Sequence, residues 1–335
     1  EEVAANVPRL DYSDGTCPSL LLEPASTNLI TQSEDLATTY VPTDITQTSN
    51  YGISPDGTLT STRVVLSNLT TSRSFNNTTL VNGGTYTFST YYKGVVGETT
   101  YMNFLSAVGG TSISKQITFT GEWQRESVTF TAGSSSNFTY IVDTRQGAST
   151  ATDFEVWGAS LEENSYATSY IKTLGTAQTR SADTATGSGS STVINSSEGV
   201  LYAEISALSD DLTNRFISLI GTTSANSVSL FYGGGSSNFI RSEVKSNNIT
   251  QSELTTTSYD ITNYNKIAIK FAENDFALWV NGVEVDTDIS GVTPIGLIDF
   301  SFDRENSLNF YGKTKSLEVY TTALSDAELT NLTTI

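Results

Sequence analysis

The chain has 335 residues, enough for two domains that each bury a core, and its 36 acidic against 17 basic residues leave a net charge of −19. That excess argues against nucleic acid or an anionic membrane as a partner. Histidine is absent and Cys17 is the only cysteine, which excludes Ser-His and Cys-His nucleophilic centres, the usual zinc sites and any intrachain disulfide.

No apolar run approaches the ~20 residues of a membrane-spanning helix, so no membrane insertion is expected. The chain opens at Glu1-Glu2-Val3 without a signal peptide or initiator methionine and is expected to be a processed part of something longer. Seven Asn-X-Ser/Thr sequons, at Asn68, Asn76, Asn77, Asn137, Asn195, Asn248 and Asn331, are assigned no function in so Ser- and Thr-rich a chain.

Alternation of period two dominates the first half. Tyr86, Phe88 and Tyr92 fall on one face of a strand, and Ile113–Phe119, Val128–Phe130, Phe138–Val142 and Phe154–Val156 repeat the pattern. Asn82-Gly83-Gly84, Gly109-Gly110, Gly121 and Gly133 supply turns between them. Short alternating strands at this spacing predict an antiparallel sandwich. From Gly175 to Ser197 the chain turns small and polar, as in Thr184–Thr192, and is expected to be a flexible linker.

Strands are predicted again at Leu201–Ile205, Phe216–Ile220, Val228–Tyr232, Phe239–Val244 and Lys266–Phe271. Phe276–Val285 reads as a hairpin, because Asn281-Gly282 suits a type I′ turn with two positive φ angles. The one good helix candidate is Ser325–Leu332, opened by a Ser325/Glu328 capping box.

The segments Ile267–Phe271, Phe276–Val283 and Lys315–Leu329 resemble those of concanavalin-A-like, laminin-G-like sandwiches, over roughly Glu198 to Ile335. Thr85–Ser89, Gly121–Phe130 and Asp153–Glu162 resemble a jelly-roll carbohydrate-binding module of the xylan- and cellulose-binding type. Pro18–Ile30 and Ala167–Gly175, the latter followed by Thr179–Asp183, are similar to a region of phage tail and tail-spike proteins. These resemblances imply an all-β chain of two tandem antiparallel sandwiches. The expected order is an arm (1–30), a jelly-roll module (31–175), a linker (176–197) and a laminin-G-like domain (198–335). They also imply an extracellular or virion-surface location and non-catalytic adhesion to a surface polysaccharide or other glycan.

Sugars are held by aromatic faces together with amide, carboxylate and guanidinium groups. Tyr91, Tyr101, Asn103, Phe104 and Tyr140 are therefore candidates in the first domain, Tyr91 because alternation sets it opposite Tyr86, Phe88 and Tyr92. In the second domain Tyr232 and Arg241 are candidates, in company with Asn238, Asp303, Arg304 and Tyr311. Trp123 and Trp157 are expected to be structural, and Trp279 is open to either reading. The jelly-roll resemblance further implies a structural calcium held by Glu34 and Asp153 with backbone carbonyls. Two other readings stay open. Both domains could be spacers of a surface fibre, or a carboxylate-dependent polysaccharide-degrading enzyme could use Glu284, Asp286 and Asp288, which strand periodicity would align in pairs.

Overall fold

The computed structural model describes residues 7–13, 15, 17–304 and 307–335. Among the described residues the chain is all-β, with antiparallel sheets and two short helices. It divides into two compact units, Ala25–Ser181 and a discontinuous unit in which the segment ending at Pro24 joins Ala182–Ile335. The first described strands, β1 (Leu10–Asp11) and β2 (Ser19–Leu22), thus belong with the C-terminal half of the chain.

The continuous unit contains β3 (Ser26–Asn28), α1 (Leu36–Thr39), β4 (Val41–Thr43), β5 (Ile45–Thr48), β6 (Thr62–Leu66), β7 (Arg73–Thr78) and β8 (Thr85–Lys93). They are followed by β9 (Thr99–Val108), β10 (Ile113–Thr118), β11 (Gln124–Thr131), β12 (Ser135–Asp143), β13 (Asp153–Glu162) and β14 (Gln178–Arg180). One sheet runs β10-β9-β12-β7-β4 and the other β11-β8-β13-β6-β5. Alternation turns one face of each inward, so Phe88 and Tyr92 of β8 meet Met102 and Phe104 of β9, Phe130 of β11 and Ile141 of β12 in a single core. Each such side chain contributes roughly 1.5–3 kcal/mol by leaving water.

The discontinuous unit continues with β15 (Glu198–Ala207), β16 (Arg215–Ile220), β17 (Ser227–Tyr232), β18 (Ile240–Ser246), β19 (Ile249–Thr256) and β20 (Asn265–Ala272). Then come β21 (Asp275–Val280), β22 (Val283–Asp288), β23 (Asp299–Ser301), β24 (Gly312–Tyr320) and α2 (Asp326–Thr333). A seven-stranded sheet, β1-β2-β24-β15-β20-β21-β22, faces a five-stranded one, β19-β18-β17-β16-β23. Asn281 and Gly282 both have positive φ (51° and 84°) in the tight turn joining β21 to β22. Ser325 and Glu328 form the capping box of α2, whose Leu329 shares a small cluster with Trp279, Tyr202 and Val200 on the outer face of the larger sheet.

Two expectations change here. The arm is no separate element: Leu20, Leu21 and Leu22 pair with Thr314, Lys313 and Gly312, and Leu22 enters the second core. The stretch read as a linker is likewise structured in part. Gln178–Arg180 pairs with Ser26–Asn28, Ser188 bridges Phe300, and Ile194 is buried. Where the chain leaves and rejoins the discontinuous unit, Glu23 and Asp183 exchange backbone hydrogen bonds. Glu23 donates to Asp183 Oδ2 (2.8 Å), and Asp183 donates to the Glu23 carbonyl (2.9 Å). Arg9 bridges both carboxylates, bonding Glu23 directly and lying 3.4 Å from Asp183. Leu22→Ala should therefore destabilise the second unit by roughly 2–4 kcal/mol, despite its distance in sequence. In a thermal melt with two resolved transitions, only the one belonging to residues 182–335 should move.

Candidate functional site

The outward face of the β10-β9-β12-β7-β4 sheet gathers side chains from all five strands. Register sets Val41, Phe75, Tyr140, Asn103 and Ser114 in one row across it. Asn77, Phe138 and Leu105 form a second row on one side. On the other side lie Thr43, Arg73 and Asp143, with Tyr101 opposite Gln116. Four interstrand gaps of about 4.8 Å make the long row roughly 19 Å, room for several sugar units. Phe75, Phe138 and Leu105 are half-buried and keep ring or chain surface towards solvent. The three rings pack on one another, Phe75 edge-on to Phe138 at 5.5 Å and tilted to Tyr140 at 5.6 Å.

A bulge between Tyr140 and Val142 holds the polar end of this face together. Strict alternation from Tyr140 would put Asp143 in the core, whereas the extra residue returns it to the side of Tyr140. Its side chain has no exposed surface, so its charge must be met by the protein. Arg145 donates from Nε at 2.7 Å and from Nη2 at 2.8 Å, and Asn103 Nδ2 adds a third bond at 3.0 Å. Burial opposes ionisation of Asp143, but the hydrogen bonds from Arg145 and Asn103 outweigh it and hold the carboxyl below its usual range. Pinned in this way, the Arg145 guanidinium lies 5.3 Å over the Tyr140 ring. The loop that follows rests on Tyr101: a Cβ on Gly147 would come within 2.4 Å of that ring, so only glycine fits.

Of the sequence-selected residues, Tyr101, Asn103 and Tyr140 share this face, though not as free rings. Asn103 and Tyr140 are buried beneath the Asp143–Arg145 pair, and the Tyr101 hydroxyl accepts from Gln116 Nε2 at 3.0 Å. Phe104 is a correction. Alternation points it inward, and it is fully buried in the core. Tyr91 does leave the core, as alternation requires, but on the opposite sheet and under cover. Trp157 packs on it at 5.4 Å, Tyr170 at 6.5 Å, and Arg125 lies 5.5 Å over its face.

Trp157 is buried, in keeping with its expected structural place, and Trp123 donates to the Ile53 carbonyl at 3.0 Å. Phe75, Phe138, Asp143, Arg145 and Arg73 were missed. The alternating Phe138-Thr139-Tyr140 and the close Asp143–Arg145 pair were the available signals.

In the second unit Tyr232 is also a correction, since it is fully buried beside Phe310 in the core. Arg241 faces outward on the five-stranded sheet, 4.0 Å over the ring of Phe231, and is 3.2 Å from both Glu243 and Glu253. Lys245 and Arg304 also reach the buried Glu243. That cluster is largely self-neutralised.

The two carboxylates assigned to calcium do not converge. Glu34 lies beside Thr62, and Asp153 pairs with Val65 three residues along β6, roughly 10 Å away at strand rise. Each already has a cation, Lys172 at 2.8 Å from Glu34 and Arg63 Nε at 2.9 Å from Asp153. The Arg63 guanidinium holds the Asp153 carboxyl below its usual range. This donor set does not fit the six to eight oxygens of a calcium shell, and among the described residues no group of three or more Cys, Asp or Glu is placed to hold a metal. Of the carboxylates considered for catalysis, Asp286 and Asp288 stay on one face, opposite Leu278 and Phe276, but Glu284 parts from them. A bulge in β22 sets Glu284 opposite Trp279 and Asp286 opposite Leu278, on different faces of the sheet.

No protein-family model matches the chain, and no curated protein sequence matches it. Solved structures do show likeness. The CBM40 of the Ruminococcus gnavus IT-sialidase is 18% identical over 45% of this chain and 95% of its own, with a TM-score of 0.38. Domains LG4-5 of the mouse laminin α1 chain are 8% identical over 77% and 90%, at 0.29. The tandem CBM22-1-CBM22-2 of Paenibacillus barcinonensis Xyn10C is 9% identical over 96% and 100%, at 0.30. Among the described residues, no helix is long and apolar enough to cross a membrane.

The depressed Asp143 pKa fixes the pH behaviour of the face. Its stabilisation is complete above the ordinary carboxylate value of 3.8 and is lost only as pH falls through the lower folded-state value. Arg145 should thus stay docked at pH 5, and an NMR titration should show the Asp143 carboxyl titrating below 3.8. Phe104→Ala should cost roughly 3–5 kcal/mol of stability in the first unit, the signature of a core ring and not of a binding ring.

Proposed function

We propose that the protein is a non-catalytic carbohydrate-binding protein that holds a glycan across the outward face of the β10-β9-β12-β7-β4 sheet. One observation carries this reading: the half-buried rings of Phe75 and Phe138 stand on a solvent-facing sheet among amide and guanidinium groups. Such rings take the C–H-rich faces of sugars, and Asn77, Gln116 and Arg73 lie within the same rows to meet hydroxyls, with Arg145 folded over Asp143 beside them. A face five strands wide suits an extended polysaccharide better than a single sugar. The tail-protein-like segments Pro18–Ile30 and Ala167–Gly175 support a setting in adhesion, on a phage or cell-surface appendage.

A glycan array probed with the whole chain should return binders, and none among all polysaccharides tested would leave the spacer reading in its place. Phe75→Ala and Phe138→Ala should each weaken binding about tenfold or more, while costing well under the ~3–5 kcal/mol expected for Phe104→Ala. Full affinity in both variants would move the site off this face. Release of reducing ends from a bound polysaccharide would overturn the non-catalytic part of the reading.

A further inference from the structure

The charge on this face runs against that of the chain. Acidic residues outnumber basic ones 36 to 17 overall, yet the three rows described above contain one arginine, Arg73, and one aspartate, Asp143, over which Arg145 folds as a second arginine. The aspartate is spent: the buried carboxylate of Asp143 is taken up by Arg145 and Asn103. Arg73 stands directly opposite Asp143 in the register, one strand over and on the same side of the sheet as Phe75.

Among the described residues the Arg73 side chain makes no hydrogen bond or ion pair, although it is half-buried. Arg145 is engaged, with Nε and Nη2 on Asp143 and its guanidinium against Tyr140. The result is one uncompensated positive charge, that of Arg73, beside the Phe75–Tyr140 step. A half-buried arginine left unpaired in a chain with twice as many acids as bases calls for an anion, and planar guanidinium donors match the oxygens of carboxylate or sulfate.

We propose that the glycan held on this face is acidic, and that Arg73 receives a carboxylate or sulfate substituent while Phe75 and Phe138 take the sugar faces. This deepens the carbohydrate-binding reading and rests on it. The xylan- and cellulose-type resemblance by itself would point to a neutral ligand.

The whole chain would be screened on an array holding matched pairs, each glycan with and without its acidic group. Uronic or sialic acids would stand in one arm and sulfated sugars in the other. Binders should carry the acidic group, and the arm in which they fall identifies carboxylate or sulfate. Binding to neutral partners at equal strength would overturn the acidic assignment and leave carbohydrate binding intact. Absence of any binder would overturn both.

With the best array ligand as probe, Arg73→Gln should lower affinity about tenfold, the worth of one charge-assisted hydrogen bond, and Arg73→Lys should lose less. Raising sodium chloride from about 50 mM to about 500 mM should weaken the wild type more steeply than Arg73→Gln. A merely structural Arg73 would lower the melting temperature instead. An unaltered salt slope in Arg73→Gln would show that this side chain does not meet the charge.

Discussion

A carboxylate shut off from water must be met on both oxygens or it will not stay ionised, and Asp143 imposes that demand on its whole neighbourhood. The bulge in β12 brings it to the outward side, Asn103 reaches it from β9, and Arg145 folds back over it from two residues along. Three consequences follow. The guanidinium is held over Tyr140, which removes that ring from solvent. The loop after Arg145 is drawn across β9, where Gly147 must lie directly on Tyr101. Finally, because Arg145 and Asn103 occupy the carboxylate, Arg73 stands opposite it without forming an ion pair. The covered rings and the free charge of the face trace to one buried side chain.

The opposite sheet of the same unit solves its outward face differently. Glu162 is fully buried there, and it is met by hydroxyls: Ser26 at 2.6 Å, Ser160 at 3.1 Å and Thr168. Tyr91, Trp157 and Tyr170 close over one another beside it, and the segment that supplies Tyr170 and Thr168 reaches Tyr91 of β8, Arg125 of β11 and Glu162 of β13. Two outward faces with similar aromatic content therefore have different fates. One is sealed by the chain's own residues and is structural. The other keeps Phe75, Phe138 and Leu105 in contact with water.

Much of the fold was legible in the sequence because its strands alternate cleanly. Tyr86, Phe88 and Tyr92 point inward as the spacing requires, and the Asn281-Gly282 turn and Ser325/Glu328 cap are present. The candidate face was legible only in part. Alternation gives the side a residue takes but not what covers it, so Tyr91 and Tyr101 point outward yet lie under other groups. Phe104 and Tyr232 are ring residues on inward positions, where composition without register misleads. Bulges were the larger obstacle, because one extra residue reverses every later assignment in a strand. That shift hid Asp143 and also parted Glu284 from Asp286, which unbroken periodicity would have aligned.

The discontinuous unit shows why composition also misplaced the chain's boundaries. A strand added at a sheet edge is held by backbone hydrogen bonds, which any non-proline residue supplies, so small polar residues do not argue against it. Gln178–Arg180 pairs with Ser26–Asn28 on that basis, though its surroundings read as a linker. The leucines of β2 read as an arm because their partners lie some three hundred residues away, a separation that no local pattern reports. What the sequence does contain near each boundary is an acid, Glu23 and Asp183, and a basic residue, Arg9, preceding the first strand. In the folded unit these three form one network beside the point where the chain departs at Pro24 and returns at Ala182. Two acids so close would repel without Arg9, so the residue that secures the junction lies in the segment that composition alone assigns to no domain.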